Sequence, residues 1–166
     1  MALKTVEDQL SGVFKGLPAL PENAKESLVK AWPILALIAG LVQLFVAWGL
    51  WSIVSRVSKV NEVYNSLSVY YTGMRMGLSS MDKTILYLGI IILAINAVIL
   101  LMAYPQLQKR ARKGWELVFL AALINVAFAV VELFAVDRGL GNFIFSLLGS
   151  AIAFYLLFQV KDKYKT

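Results

Sequence analysis

The 166-residue chain contains no cysteine and no histidine. Without thiols there is no disulfide, no thiolate-held metal cluster and no cysteine nucleophile. Without imidazole there is no Ser-His triad, no histidine-ligated haem and no ordinary zinc site. Charge is scarce too: 16% of residues are Asp, Glu, Lys or Arg, against about 25% in a soluble domain. No glycine-rich phosphate loop is present. The acids Glu62, Asp82, Glu132 and Asp137 show no spacing that specifies paired acid–base work. These absences point away from an enzyme and imply no cofactor and no metal.

What the chain has in excess is oil, with 60% hydrophobic residues. About 20 apolar residues in a helix span a bilayer core of about 30 Å. Four stretches meet that length: Ala31–Val54, Thr84–Tyr104, Trp115–Val136 and Leu140–Val160. The expected fold is therefore all-α, an integral membrane four-helix bundle forming one domain over residues 21–166. Ser79 and Asp82 form a capping box before the second stretch. Pro105 stands where that helix should stop. "DRGLG" leaves room only for a tight hairpin between the third and fourth stretches. Trp32, Trp51, Trp115, Tyr87 and Tyr104 fall near span ends, where amphipathic rings favour the headgroup zone.

The net charge of +6 could signal nucleic acid, but its distribution fits topology better. With four spans, both termini and the loop between spans two and three share one face. That face holds Lys4, Lys15, Lys25, Lys30, Lys109, Arg110, Arg112, Lys113, Lys161, Lys163 and Lys165; the other holds Arg56, Lys59, Arg75, Lys83 and Arg138. Eleven against five places both termini in the cytoplasm of a multi-pass cell-membrane protein. The partner so implied is the lipid bilayer, not nucleic acid. The first 30 residues lack a sustained apolar core of the signal-peptide kind, so the first span is expected to serve as an uncleaved anchor.

Three other segments carry pattern. Leu3, Val6, Leu10, Phe14 and Leu17 recur at helical spacing, which predicts an amphipathic N-terminal segment over residues 1–20 lying on the inner leaflet; Gly12 and Gly16 weaken it, and a frayed terminus is the alternative. "PENAKES" reads as a helix start with Pro21 near its first turn, while Pro33 marks either a kink or a new start. After the first span, Val57, Val60, Tyr64, Leu67 and Tyr71 form a two-heptad seam. It predicts an amphipathic extracytoplasmic helical extension that rests on the outer leaflet, folds over the bundle or pairs with another helix. Lys109, Arg110, Arg112 and Lys113 are candidates for anionic lipid headgroups, beside their role in setting topology.

Inside the spans, Gln43, Asn96, Asn125 and Ser150 lie near one depth. A side-chain amide in hydrocarbon should turn inward and find a partner. This polar layer reads as interhelical glue, with the floor of a small hydrated cavity as the alternative. Ala36 with Gly40, Ser146 with Ser150, and Gly149 with Ala153 are small-xxx-small pairs that allow close helix approach. In "AALINVAFAVVELF", Glu132 stands seven residues after Asn125, on nearly the same helix face. Its expected role is an ion pair with Lys83 or Arg138 near the outer rim, with proton or cation coupling as the competing role.

The layout of "RKGWELVFLAALINVAFAVVELF" followed by "LGNFIFSLLGSAIAFYLLFQVKDKYK" resembles small four-span bacterial membrane proteins without assigned chemistry, over the half of the chain from Arg112 onward. That resemblance transfers no functional residue. The chain departs from the small multidrug exporters, whose first span carries a central carboxylate; here that span carries Gln43. The functional expectation is a scaffold or accessory subunit that associates with itself or with another membrane protein. The alternative is a small oligomeric transporter or channel subunit using the polar layer and Glu132.

Overall fold

The computed structural model describes residues 2–72, 80–132 and 140–165; of these, the side chains of 2, 58–72, 80–82, 132, 140, 142, 143 and 146 lie outside the description. Among the described residues five α-helices follow one another: α1 (Ala2–Phe14), α2 (Glu22–Thr72), α3 (Ser80–Gln108), α4 (Arg112–Glu132) and α5 (Leu140–Gln159), closed by a 3-10 turn at Lys161–Lys163. No strand occurs among the described residues. Among the described residues, three helical stretches are long and apolar enough to cross a membrane: Glu22–Val57, Lys83–Gln108 and Arg112–Val131. In α5 the described apolar stretch is the shorter Leu147–Gln159.

The helix starting after Pro21 forms as its sequence signals. It does not end with the first span. α2 continues without a break for 51 residues, through Pro33 and through the seam. At 1.5 Å per residue it is a rod of about 76 Å, more than twice a bilayer core. The helical extension is thus the same helix carried onward, and the side chains of its seam beyond Val57 lie outside the described residues. So do Ser79 and residues 137–139 of "DRGLG", whose last two residues open α5.

Pro105 does not stop its helix, contrary to expectation: α3 runs on to Gln108. Proline removes one hydrogen bond but keeps a helical φ, so it alone cannot reverse the chain. Arg110 does, with φ at 54°. Its N–H bonds Leu107 O at 3.0 Å and the Ala111 N–H bonds Gln106 O at 2.9 Å, a Schellman closure with arginine where glycine is usual.

Neighbouring helices run antiparallel, α2 on α3, α3 on α4 and α4 on α5. Gly40 meets Leu101 and the Ala97 carbonyl, so the predicted Ala36–Gly40 face does serve close packing. Among the described residues the buried core is uneven. Its larger part joins Val29 and Ala36, Leu100, Ala103 and Leu107, Trp115 and Phe119, and Phe154, Leu157 and Val160. These sit at the end where the N-terminal strap, the α3–α4 turn and the C-terminal turn meet, called here the terminal end. Toward the opposite end, among the described residues, a smaller core of Ala47, Val54 and Ile90 belongs to α2 and α3.

Candidate functional site

α1 packs on the terminal end of the bundle through Leu3, Leu10 and Phe14. Phe14 stacks on Phe158, with ring centroids 5.5 Å apart. The stripe facing the bundle is not the one the sequence suggests. Val6 and Leu17 are 36% and 46% exposed, while Glu7 is buried at 5%. Residues 3, 7, 10 and 14 share a face by spacings of four, three and four, and Glu7 is the acid within it.

Glu7 Oε1 accepts from Arg112 Nη2 and from Lys161 Nζ, the latter at 2.7 Å. Arg112 also reaches Glu116 Oε1 at 3.3 Å, and its guanidinium stacks 4.4 Å from the Trp115 ring centroid. Trp115 is fully buried and its indole N–H donates to Leu157 O at 2.8 Å. Phe119 stacks on it at 5.2 Å. Trp115 is therefore covered by protein, with the Arg112 and Lys161 cations against its ring.

Burial works to raise the Glu7 carboxyl, but hydrogen bonds from Lys161 and Arg112, with their charges, outweigh it and hold it below the ordinary carboxylate range. A carboxyl lowered on folding stabilises above its unfolded pKa, and that contribution is lost as pH falls through the folded value. The α1 helix should hence loosen on acidification below about pH 4, where unfolded carboxyls begin to protonate. Amide exchange, corrected for intrinsic rates, checks this: protection over residues 2–14 should fall relative to α3. Equal protection would mean that the apolar contacts alone hold α1.

A second ionic group ties the start of α2 to the chain end. Lys163 Nζ lies 2.8 Å from Glu22 and 3.2 Å from Glu26, and Arg110 Nη2 lies 3.0 Å from Glu26. Hydrogen bonds from Lys163 to Glu22 and then Glu26 hold its ammonium pKa above the usual lysine range. These groups, with Lys25, Gln159, Asp162 and Lys165, line a polar cleft of about 470 Å³. Between the two ionic groups, Gln159 clamps the strap: its Oε1 accepts from Leu20 N at 3.0 Å and its Nε2 donates to Pro18 O at 3.3 Å. Tyr155 donates to the same carbonyl at 2.7 Å. Buried Tyr164 has its hydroxyl pushed up to about 12 by desolvation.

The four basic candidates of the α3–α4 turn therefore divide. Arg110 and Arg112 are paired with carboxylates, Arg110 with one on α2 and Arg112 with one each on α1 and α4. Lys109 and Lys113 are exposed and form no ion pair among the described residues.

The mid-span polar layer is only partly assembled. Asn96 is fully buried and its Nδ2 donates to Asn125 Oδ1 at 2.9 Å, joining α3 to α4. Asn96 Oδ1 and Gln43 Oε1 are buried without a hydrogen-bond partner among the described residues. Ser150 does not join the pair; with Asn125, Ala122, Phe128, Ala129, Gly149 and Ala153 it lines a groove of about 380 Å³ between α4 and α5. Nothing lies within 4 Å of a Cβ placed on Gly149, so the Gly149–Ala153 pair borders this groove and closes no helix contact there. Replacing Asn96 by leucine should cost about 0.6 kcal/mol, the mean for such membrane hydrogen bonds. SDS-induced unfolding measures it, and a cost above about 2 kcal/mol would mean the amide does more than join two helices. Lys83 is half-buried at the start of α3, whereas the side chains of Glu132 and Arg138 lie outside the described residues, and the expected outer ion pair with them.

Asn96–Asn125 is legible in the sequence because an amide in hydrocarbon stands out. The Glu7 cluster is not, since an acid four residues from the chain's first leucine looks solvated. Its signal was the heptad position between Leu3 and Leu10. Together these features define a helical protein of membrane type whose N-terminal helix is ion-paired onto one end of the bundle. Compared with family models, curated proteins and solved structures, the chain matches none.

Proposed function

We propose that the chain is a four-span protein of the cell membrane, with α5 as fourth span and both termini cytoplasmic, acting as a non-enzymatic scaffold or accessory subunit that associates with itself or another membrane protein. The observation that carries this reading is the unequal packing. At the terminal end, polar groups of α1, α2, the α3–α4 turn, α4, α5 and the C-terminal turn are spent on contacts between elements. Toward the other end, among the described residues, α2 shares a core with α3 and exposes Phe45 at 78% and Trp48 at 75%. A long apolar helix with open flanks, beside a groove edged by small residues, suits close packing with a further helix. The gathering of both chain ends and the α3–α4 turn at one end supports the four-span topology.

The test is purification in mild detergent and in nanodiscs, counting protomers by light scattering and identifying copurifying chains. A dimer, a larger oligomer or a complex with a membrane protein is expected; a partner-free monomer in both media overturns the reading. Reporter fusions at Thr166 and within residues 61–73 should report opposite compartments, and agreement between them overturns the four-span topology.

A second reading, an oligomeric transporter or channel subunit for a small solute or ion, is favoured by the buried amide oxygens of Gln43 and Asn96, which lack donors among the described residues. A water or a solute hydroxyl would satisfy them. Solute flux in liposomes that Glu132→Gln abolishes, with folding and assembly intact, would select this reading.

A further inference from the structure

An apolar stripe that docks a terminal helix gains most from leucine at its centre, yet α1 puts a carboxylate there. Burying an ion pair is close to neutral or unfavourable against a well-packed apolar residue, because both charges lose their water. What the acid adds is conditionality: α1 docks well only while Arg112 and Lys161 are available to it. Those two cations come from different elements, α4 and the C-terminal turn. They are not sealed by α1, since their side chains remain 29% and 26% exposed. The guanidinium is fixed on the Trp115 ring, which leaves its N–H edge facing outward to Glu7 and Glu116. A rigid guanidinium fork beside an ammonium is the arrangement that binds phosphate oxygens as readily as carboxylate oxygens.

We propose that Arg112 and Lys161 form a site for a phosphate anion, and that Glu7 fills it as an internal ligand until an external phosphate displaces it and releases α1. The neighbours favour an outside anion. Lys109 and Lys113, exposed and unpaired among the described residues, flank Arg112 on the same turn, and each adds about 1 kcal/mol of attraction to an anionic lipid surface. Release has somewhere to go. The freed helix presents Leu3, Leu10 and Phe14 on one side and Lys4 and Lys15 elsewhere, the composition of a helix that lies in a membrane interface. The strap that follows carries Gly16, against which a Cβ would meet nothing within 4 Å. The docked helix is thus the closed state and the leaflet-bound helix the open one.

The absence of native cysteine makes the test direct. Spin labels at Val13→Cys and Gln108→Cys, both exposed positions, report the distance from α1 to the end of α3 in full-length protein in nanodiscs. In phosphatidylcholine alone a single short distance is expected. In nanodiscs of phosphatidylcholine and phosphatidylglycerol in equal parts, most of that population should shift to longer distances. Inorganic phosphate added to the phosphatidylcholine sample separates the sources: opening by phosphatidylglycerol alone assigns a lipid headgroup, and opening by inorganic phosphate assigns the free anion, either result supporting the site. Glu7→Gln should be open in phosphatidylcholine already and respond to neither anion, with circular dichroism and elution volume showing the bundle intact. A Glu7→Gln protein that stays closed would overturn the proposal. So would a wild-type distance unchanged by both anions, which would leave Glu7 as a fixed anchor. Failure to enter nanodiscs at all would instead count against the membrane reading.

Discussion

Gly114→Ala is expected to lower stability by about 1–3 kcal/mol, the usual cost of forcing a methyl into a packed site. A Cβ at this position would stand 2.7 Å from Leu107 N and 2.8 Å from Gln106 C. Both neighbours are backbone, so no side chain can swing aside, and the start of α4 must move off the end of α3. That movement shifts Arg110 and Arg112, which hold Glu26 and Glu7. The result is read as a fall in the melting temperature of the detergent-solubilised protein. Gly149→Ala is the matched control, because the added carbon meets nothing within 4 Å. Equal melting shifts in the two variants would show that the close approach at Gly114 does not exist.

Trp115→Ala should cost more, about 3–5 kcal/mol for truncating a fully buried tryptophan. Three losses combine there. The cavity removes the floor shared by Phe119 and Phe158. The carbonyl of Leu157, one of the four that the end of α5 leaves without an intrahelical donor, loses the indole N–H. Arg112 loses the ring that orients it toward Glu7. Trp115→Phe keeps an aromatic surface and drops the donor, so its cost should be about 1–3 kcal/mol, that of one unsatisfied buried acceptor. Melting temperatures rank the pair, and α1 exchange should quicken in the alanine variant. Equal losses in both would place the energy in the hydrogen bond alone.

The same residue shows where reading the chain linearly stops. Trp115 opens a 22-residue apolar stretch, and depth in a membrane follows from such counting; which neighbour covers a residue does not. Pro105 gives a second instance. It looked like a stop because a proline cannot donate, but a helix ends where the backbone reverses, and Arg110 performs the reversal by taking a left-handed φ that its side chain does not advertise. Asn96 and Asn125 lie at matching depths on adjacent antiparallel helices, and they do meet. Gln43 and Ser150 match in depth too, yet neither joins the pair, because helix rotation decides which way an amide points. In α1 the error was one residue: Val6 and Glu7 differ by 100° around the helix, and only the positions of Arg112 and Lys161 decide which faces inward.

Composition and apolar run length by themselves marked this chain as helical and of membrane type, since burial of that much hydrocarbon leaves few other homes; they counted four bilayer-length stretches, of which three are helices of that length and oiliness among the described residues. They also bounded its chemistry, through the side chains it lacks. Tertiary structure alone decided that α1 sits on the bundle, that Glu7 pairs with cations 105 and more residues away, and that Trp115 lies buried against α5. The physical reason is the range of the forces. Hydropathy sums over neighbours along the chain, whereas a buried ion pair depends on groups that only the fold brings within a hydrogen bond of each other.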